Sequence, residues 1–344
     1  MSKRKRKNKK KKDRVLITSI MILLLCIIGI IGYLFIQNKE IPIVKKHKKK
    51  LTIVDEDSNK RPIAVMIDNN VGNNSHAGLQ DSYINYEIIV EGGLTRIMAI
   101  FKDKDVDLIG PVRSSRHYFL DYALESDAIY THYGWSEFAK TDISSLGVNN
   151  INGLYDENAF WRDKQLKSPH NVFTNTDILY KYAKDNKDYS IETDDWKLLN
   201  YSTKNISIAD KEENDNTANN VVIKYSNYQT TSYSYDSENK YYLRYMNDEA
   251  HIDKTSNEQL HYKNIIIEKV KNSTLDSYGR QDLDTTGSGE GYYVTNGYVK
   301  EITWTKNSRS GKTTYTYEDG KEVKINDGNT FIQIIPVTVT PEIN

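Results

Sequence analysis

Residues 15–36 run for 22 positions without a charged side chain and are dominated by Ile and Leu. As a helix, such a run crosses the ~30 Å hydrocarbon core of a bilayer, and a soluble fold has few ways to cover it. Ten Lys or Arg lie within the first fourteen residues, where Asp13 is the one acid. The run is longer than the apolar part of a secretory signal, and Tyr33-Leu34-Phe35-Ile36 extends it past Gly29 and Gly32 with no small-residue cleavage site. The expectation is an uncleaved, single-pass transmembrane helix at 15–36 in the cell membrane, with residues 1–14 as a basic cytoplasmic tail and everything after it outside. Six Lys between Lys39 and Lys50 oppose that orientation but are fewer.

The formal net charge of +0 hides an asymmetry. Residues 1–50 carry 16 basic and 2 acidic groups, leaving 31 basic and 45 acidic, a net of −14, for residues 51–344. An acidic exported body argues against nucleic acid as a partner. The lysines before residue 51 suit either anionic headgroups and wall polymer or a solvated linker. Cys26 lies inside the apolar run, and Leu25 stands where lipid attachment would need a small residue, so a buried intramembrane thiol is expected. As the single Cys, it leaves the exterior without disulfide, Cys metal ligand or thiol nucleophile.

About 290 residues outside the membrane suit one large or two ordinary domains, and composition favours two. Residues 37–60 read as a basic linker, 61–205 as a mixed α and β domain, 206–220 as an acidic linker, and 221–340 as a mostly antiparallel β domain. In the first, strands are expected at 62–68, 83–90 and 128–132, and helices at 136–145 and 176–185. In the second, short β-branched and aromatic runs alternate with Asn296-Gly297, Asp319-Gly320 and Asp327-Gly328 turns. The 26 Tyr fit half-exposed sheet faces, with a carbohydrate-stacking face as the sharper reading. Gly287-Ser288-Gly289-Glu290-Gly291 lacks a phosphate-loop Lys and reads as a bulged turn.

Two clusters carry the chemistry: Glu91-Gly92-Gly93-Leu94-Thr95-Arg96 and Gly110-Pro111-Val112-Arg113-Ser114-Ser115-Arg116. The apolar runs 97–101 and 106–109, joined by Lys102-Asp103-Lys104-Asp105, read as a β-hairpin that brings Arg96 beside Arg113. Ser114 then opens a helix predicted over 115–125. Free N–H groups at its start plus guanidinium forks make an anion site for phosphate, sulfate or carboxylate. Alternatively Glu87 or Glu91 supplies the negative charge as a structural ion pair. His132 follows a strand end, and His170 and Asn171 lie in a polar cluster with Arg162 and Asp163. Glu91, His132 and His170 can be assembled into an acid–base set, although spacing does not show that they converge. The sequence contains no His-Glu-x-x-His, Gly-x-Ser-x-Gly or Walker motif, and no metal or cofactor is expected.

Arg61-Pro62-x-Ala64-Val65-Met66-Ile67-Asp68-Asn69, Tyr86-Glu87, the two clusters above and Ser168-Pro169-His170-Asn171 occur in an order that resembles the YerB-like family of bacterial envelope proteins. The resemblance covers roughly 61–200, and the strands of 287–336 with Trp304 resemble the family's companion C-terminal domain. It implies an α+β protein, a layered α/β sandwich followed by the β-rich domain, with a biochemical role that is unassigned. Two departures stand out: many relatives carry a lipid-attachment Cys, and Ser75-His76-Ala77 replaces a Pro- and Gln-containing loop. The resulting expectation is a binding or scaffold protein of the envelope. Its ligand residues would be Arg96, Arg113, Ser114, Arg116, Glu91, His170, Asn171, His132 and Asn69, and its partner peptidoglycan, an anionic wall polymer or another envelope protein. The alternative is an enzyme processing glycan or phosphate polymer.

Overall fold

The computed structural model describes residues 3–36, 49–209 and 216–344. The chain divides into two compact units, Met1–Lys49 and Lys50–Asn344. The first contains helix α1, Lys3–Ile36. Its segment Lys10–Leu34 is long and apolar enough to cross a membrane, and its large apolar side chains, from Val15 to Tyr33, are exposed all round, as lipid contact requires. Most of the expected basic linker, 37–48, and residues 210–215 of the acidic one lie outside the described residues. Residues 51–60 are not linker. Val54 is buried, and the Thr52 and Ile53 amides donate to the Asp327 carboxylate at 2.9–3.1 Å.

One mixed sheet of ten strands organises the second unit. Its members are β1 Ile63–Asp68, β2 Ile84–Ile89, β3 Thr95–Phe101, β4 Ile129–His132 and β5 Asn150–Asn152. A smaller sheet supplies β6 Asn220–Lys224, β7 Thr230–Asp236 and β8 Tyr241–Met246. The large sheet resumes with β9 Asn264–Val270, β10 Gly287–Thr295, β11 Tyr298–Lys306, β12 Thr314–Thr316 and β13 Thr330–Pro336. Its order is β12-β11-β10-β9-β13-β2-β3-β1-β4-β5. The parallel pair β2–β13, from Ile84↔Thr330 to Ile88↔Ile334, joins the two halves edge to edge. The expected halves therefore share a backbone ladder.

Strands β1, β2, β3 and β13 are buried along their whole length, so both faces of the sheet are covered. Tyr86 on one face meets Tyr122 of helix α2, His117–Ala123, at 4.9 Å between rings. On the opposite face the smaller sheet lays Tyr233 and Tyr262 against Phe331. These tyrosines face inward, while β7 and β8 alternate buried and half-exposed positions as expected. Tyr233 is buried, and its hydroxyl accepts from Gln333 Nε2 at 2.7 Å. Helices α3, Glu137–Ser145, and α4, Thr176–Lys187, form as expected. Ser136 and Asn175 cap their first turns by accepting from the Ala139 and Ile178 amides, which satisfies N–H groups that the helix leaves open.

Three local expectations fail for identifiable reasons. Residues 106–109 do not return along β3, because β1 and β2 occupy both of its edges in register. The helix after Arg116 is about two turns long and runs on into a 3-10 turn, Leu124–Ser126, with Arg116 rather than Ser114 as its N-cap and no side-chain cap. The 287–291 stretch is strand paired from Gly287↔Lys306 to Gly291↔Ile302, with Gly289 and Gly291 needed for close approach instead of a bulge. A Cβ on Gly289 would stand 2.6 Å from Trp304 Nε1, and one on Gly291 2.3 Å from the Ile267 carbonyl. Since the second contact is backbone, Gly291→Ala is expected to cost about 1–3 kcal/mol, read as a lower urea midpoint.

Candidate functional site

Asp68 ends β1 and stands directly opposite Arg96 near the start of β3. The chain returns along the end of β1. The Asp68 amide donates to the Pro111 carbonyl at 2.8 Å, and the Arg113 amide to the Met66 carbonyl at 2.9 Å. Arg96 and Arg113 thus become neighbours through β1, not through a hairpin. The Val112 amide donates to the Val172 carbonyl, which brings up the His170 loop.

Asp68 Oδ2 accepts from His170 Nδ1 at 2.5 Å and lies 3.0 Å from Arg113 Nε, an ion pair without hydrogen-bond alignment. Arg116 forks onto Glu91, Nε to Oε1 at 2.5 Å and Nη2 to Oε2 at 2.8 Å, the two-point geometry that suits guanidinium to carboxylate. Arg96 is buried, donates to the Ser114 carbonyl at 2.5 Å, and has no carboxylate ion pair among the described residues. Burial, then the charges of Arg116 and Arg113, pull its guanidinium down to about 10, while Asp68 and Glu91 offset part of this. It stays charged at neutral pH. Burial pushes the Glu91 carboxyl up, yet Arg116 outweighs it and holds the group below its ordinary value. Three guanidinium groups therefore face two carboxylates.

The expected residues divide cleanly. Arg96, Arg113, Arg116, Glu91, the Ser114 carbonyl and, through Asp68, His170 converge. Asn171 is nearby but accepts from Arg162 at 2.8 Å and ties down its own loop. His132 is fully buried, with Nδ1 on the Gly134 carbonyl and Nε2 on Asn150. Burial lowers it to about 4, so it is a neutral packing residue. The acid–base set of Glu91, His132 and His170 does not assemble: each has a different partner. Asn69 turns inward to Glu87 and Thr95, at 3.0 and 2.7 Å.

Glu87 serves the other face of the sheet. Fully buried, it pairs with fully buried Arg244 at 2.8 Å and accepts from Asn69, Thr95 and Thr231. Arg244 Nη1 meets His251 Nδ1 at 2.5 Å, His251 Nε2 meets His76 Nδ1 at 2.8 Å, and His76 Nε2 meets the Asp68 carbonyl at 2.5 Å. A guanidinium can only donate. His251 Nδ1 therefore accepts, which makes its Nε2 a donor to His76, whose own Nε2–H must then reach Asp68. Both imidazoles are fixed as neutral Nε2–H tautomers. Burial lowers His76 to about 4 and His251 further, with Arg244 adding to both. This chain ties the ion-pair core to the arginine site. Composition gave it no signal, since its members are scattered from residue 68 to 251.

A second buried cluster joins α2 to the far strands. Glu125 accepts from Lys306 Nζ at 2.6 Å and from Thr313. Glu268 accepts from Tyr315 at 2.6 Å and lies 3.4 Å from the Tyr122 hydroxyl. Burial, and next to it the Glu125 charge, push Glu268 up to about 8 despite the Tyr315 bond. Among the described residues no group of His, Cys, Asp and Glu is placed to hold a metal ion.

Residues 51–190 match the N-terminal domain, and 221–332 the C-terminal domain, of the protein of unknown function DUF3048. "Putative lipoprotein YerB" of Bacillus subtilis is 31% identical over 300 residues, covering 85% of this chain and 87% of that protein. The crystal structure of Bacillus subtilis YerB superposes with a TM-score of 0.74 at 28% identity, over 86% of this chain and 100% of that one. Ordered motifs, shared architecture and both matched domains lead to one conclusion: the chain belongs to the YerB-like DUF3048 family.

Proposed function

We propose that this chain is a single-pass, N-in membrane-anchored protein whose outer body binds an anionic envelope ligand or partner at Arg96, Arg113 and Arg116. The observation that carries the reading is the surplus of guanidinium over carboxylate at one end of β1 and β3. Arg116 is satisfied internally by Glu91, as the ion-pair alternative anticipates, but Arg96 is not. Arg113 meets Asp68 through Nε, and no hydrogen bond from its two terminal nitrogens is made among the described residues. Those nitrogens are the donors available to phosphate or carboxylate.

Titration of the detergent-solubilised full chain with inorganic phosphate or polyglycerol phosphate tests this. Arg113→Ala should weaken binding by roughly 1–3 kcal/mol while leaving the urea midpoint nearly unchanged. Unaltered affinity, or loss of the fold, would count against a ligand site. An enzymatic reading draws on one specific feature, the half-buried His170 oriented by Asp68 beside these arginines, an arrangement suited to a general base. It requires product release from sacculi or phosphate polymer that His170→Ala abolishes while phosphate binding persists.

A further inference from the structure

A small cleft of about 280 Å³ lies beside the arginine cluster, lined by Tyr133, Glu157, Phe160, Trp161, Arg162 and Val172. Its walls and the arginine site share one stretch of backbone. The Tyr133 amide donates to the Arg113 carbonyl at 3.0 Å, and the Val112 amide to the Val172 carbonyl at 2.7 Å. Gly134 backs directly onto Ser114, whose Oγ would be 3.2 Å from an added Cβ. On the other side Arg162 is bonded to Asn171, next in sequence to the His170 that holds Asp68. The two sites are therefore adjoining.

The lining has a definite chemical character. Trp161 is an exposed large aromatic, and the Tyr133 and Phe160 rings meet edge to face at 5.8 Å. Arg162 lies over the Tyr133 ring, 5.1 Å from its centre, so stacking and the Asn171 bond hold its fork in place before any ligand arrives. Glu157 is exposed at the rim and has no ion pair among the described residues. An aromatic face beside one fixed donor and one free acceptor matches a sugar ring, which offers an apolar C–H face and vicinal hydroxyls. The volume is at the small end of ligand pockets and suits one ring. A purely apolar occupant would leave Glu157 and the Arg162 fork without use.

We infer that the adjoining sites together take a glycosyl phosphate, the sugar in the Tyr133–Trp161–Arg162 cleft and the phosphate on Arg113 and Arg96. The proposal rests on the anion-binding reading above and adds the class of ligand. The experiment compares N-acetylglucosamine 1-phosphate, inorganic phosphate and free N-acetylglucosamine by calorimetry on the full chain in detergent, with Trp161 fluorescence as a second readout. The sugar phosphate should bind about tenfold or more tightly than phosphate. Trp161→Ala should remove that excess and leave phosphate affinity intact, and Glu157→Gln should weaken the sugar phosphate several-fold while leaving phosphate unchanged. Equal affinity for sugar phosphate and phosphate, or an excess that both substitutions spare, overturns the cleft assignment while anion binding stands. Failure of both phosphates to bind overturns the anion reading and this one with it. Binding of the free sugar alone makes the cleft a neutral-sugar site and likewise refutes the pairing.

Discussion

Arg244→Ala is expected to destabilise the outer body by about 3–5 kcal/mol, the cost of stranding one member of a buried ion pair. Glu87 would keep Asn69, Thr95 and Thr231 as donors but lose its only guanidinium. His251 would lose the donor that fixes its tautomer. The damage should be concentrated where the smaller sheet meets β2 and β13, because Arg244 belongs to β8 and Glu87 to β2. Urea unfolding of the full chain in detergent, followed by tyrosine and tryptophan fluorescence, measures it. The double variant Glu87→Gln/Arg244→Met should recover part of the loss, giving a coupling energy of roughly 1–3 kcal/mol. Simple addition of the two single costs would mean that the pair contributes packing alone.

The second large effect concerns pH. Glu268 titrates near 8 in the folded body against an ordinary 4.5, so the folded state holds a proton that the unfolded state releases. Its contribution is complete below about 4.5 and is lost as pH rises through 8, on the order of several kcal/mol in all. Burial raises Asp121 and Glu125 as well, which adds to the same slope. His76 works in the opposite sense. Held near 4 against 6.5, it contributes fully above 6.5 and loses that contribution as pH falls through 4. Stability should therefore decline on both sides of a mildly acidic optimum. Glu268→Gln can keep the Tyr315 bond and offer its amide to Tyr122 without a charge. It should match the parent below about pH 4.5 and flatten the fall between pH 5 and 8. A parent and variant with identical slopes over that range would show that Glu268 is ionised throughout.

The sequence exposed individual elements well and their pairing poorly. β1, β4, α3 and α4 were legible because a short apolar run, or a capping Ser or Asn before a periodic one, is a local signal. The hairpin failed because the same continuous apolar run at 97–101 is satisfied by partners about 30 residues upstream as well as by those just downstream, and burial on both faces decides for the former. Arg96 and Arg113 still meet, since both routes pass the end of the same strand. Asp68 is the omission that matters most: it anchors Arg113 and His170, yet an acid at a strand end carries no distinctive pattern. His132 misled for the converse reason, its position at a strand end being typical of ligand sites while its ring is buried between Gly134 and Asn150. The Ser75-His76-Ala77 loop lies in the core relay, where His76 is inaccessible to solvent.

The parallel pairing of Ile84 with Thr330 also bears on how the molecule is made. Synthesis delivers β2 long before β13, so the nascent first half carries an open edge and a half-covered apolar sheet until residues 330–336 emerge. Loops closed over such distances form slowly, and an open edge invites strand exchange with neighbours meanwhile. A truncation ahead of β13 would for that reason injure the earliest-made part of the protein as severely as the latest.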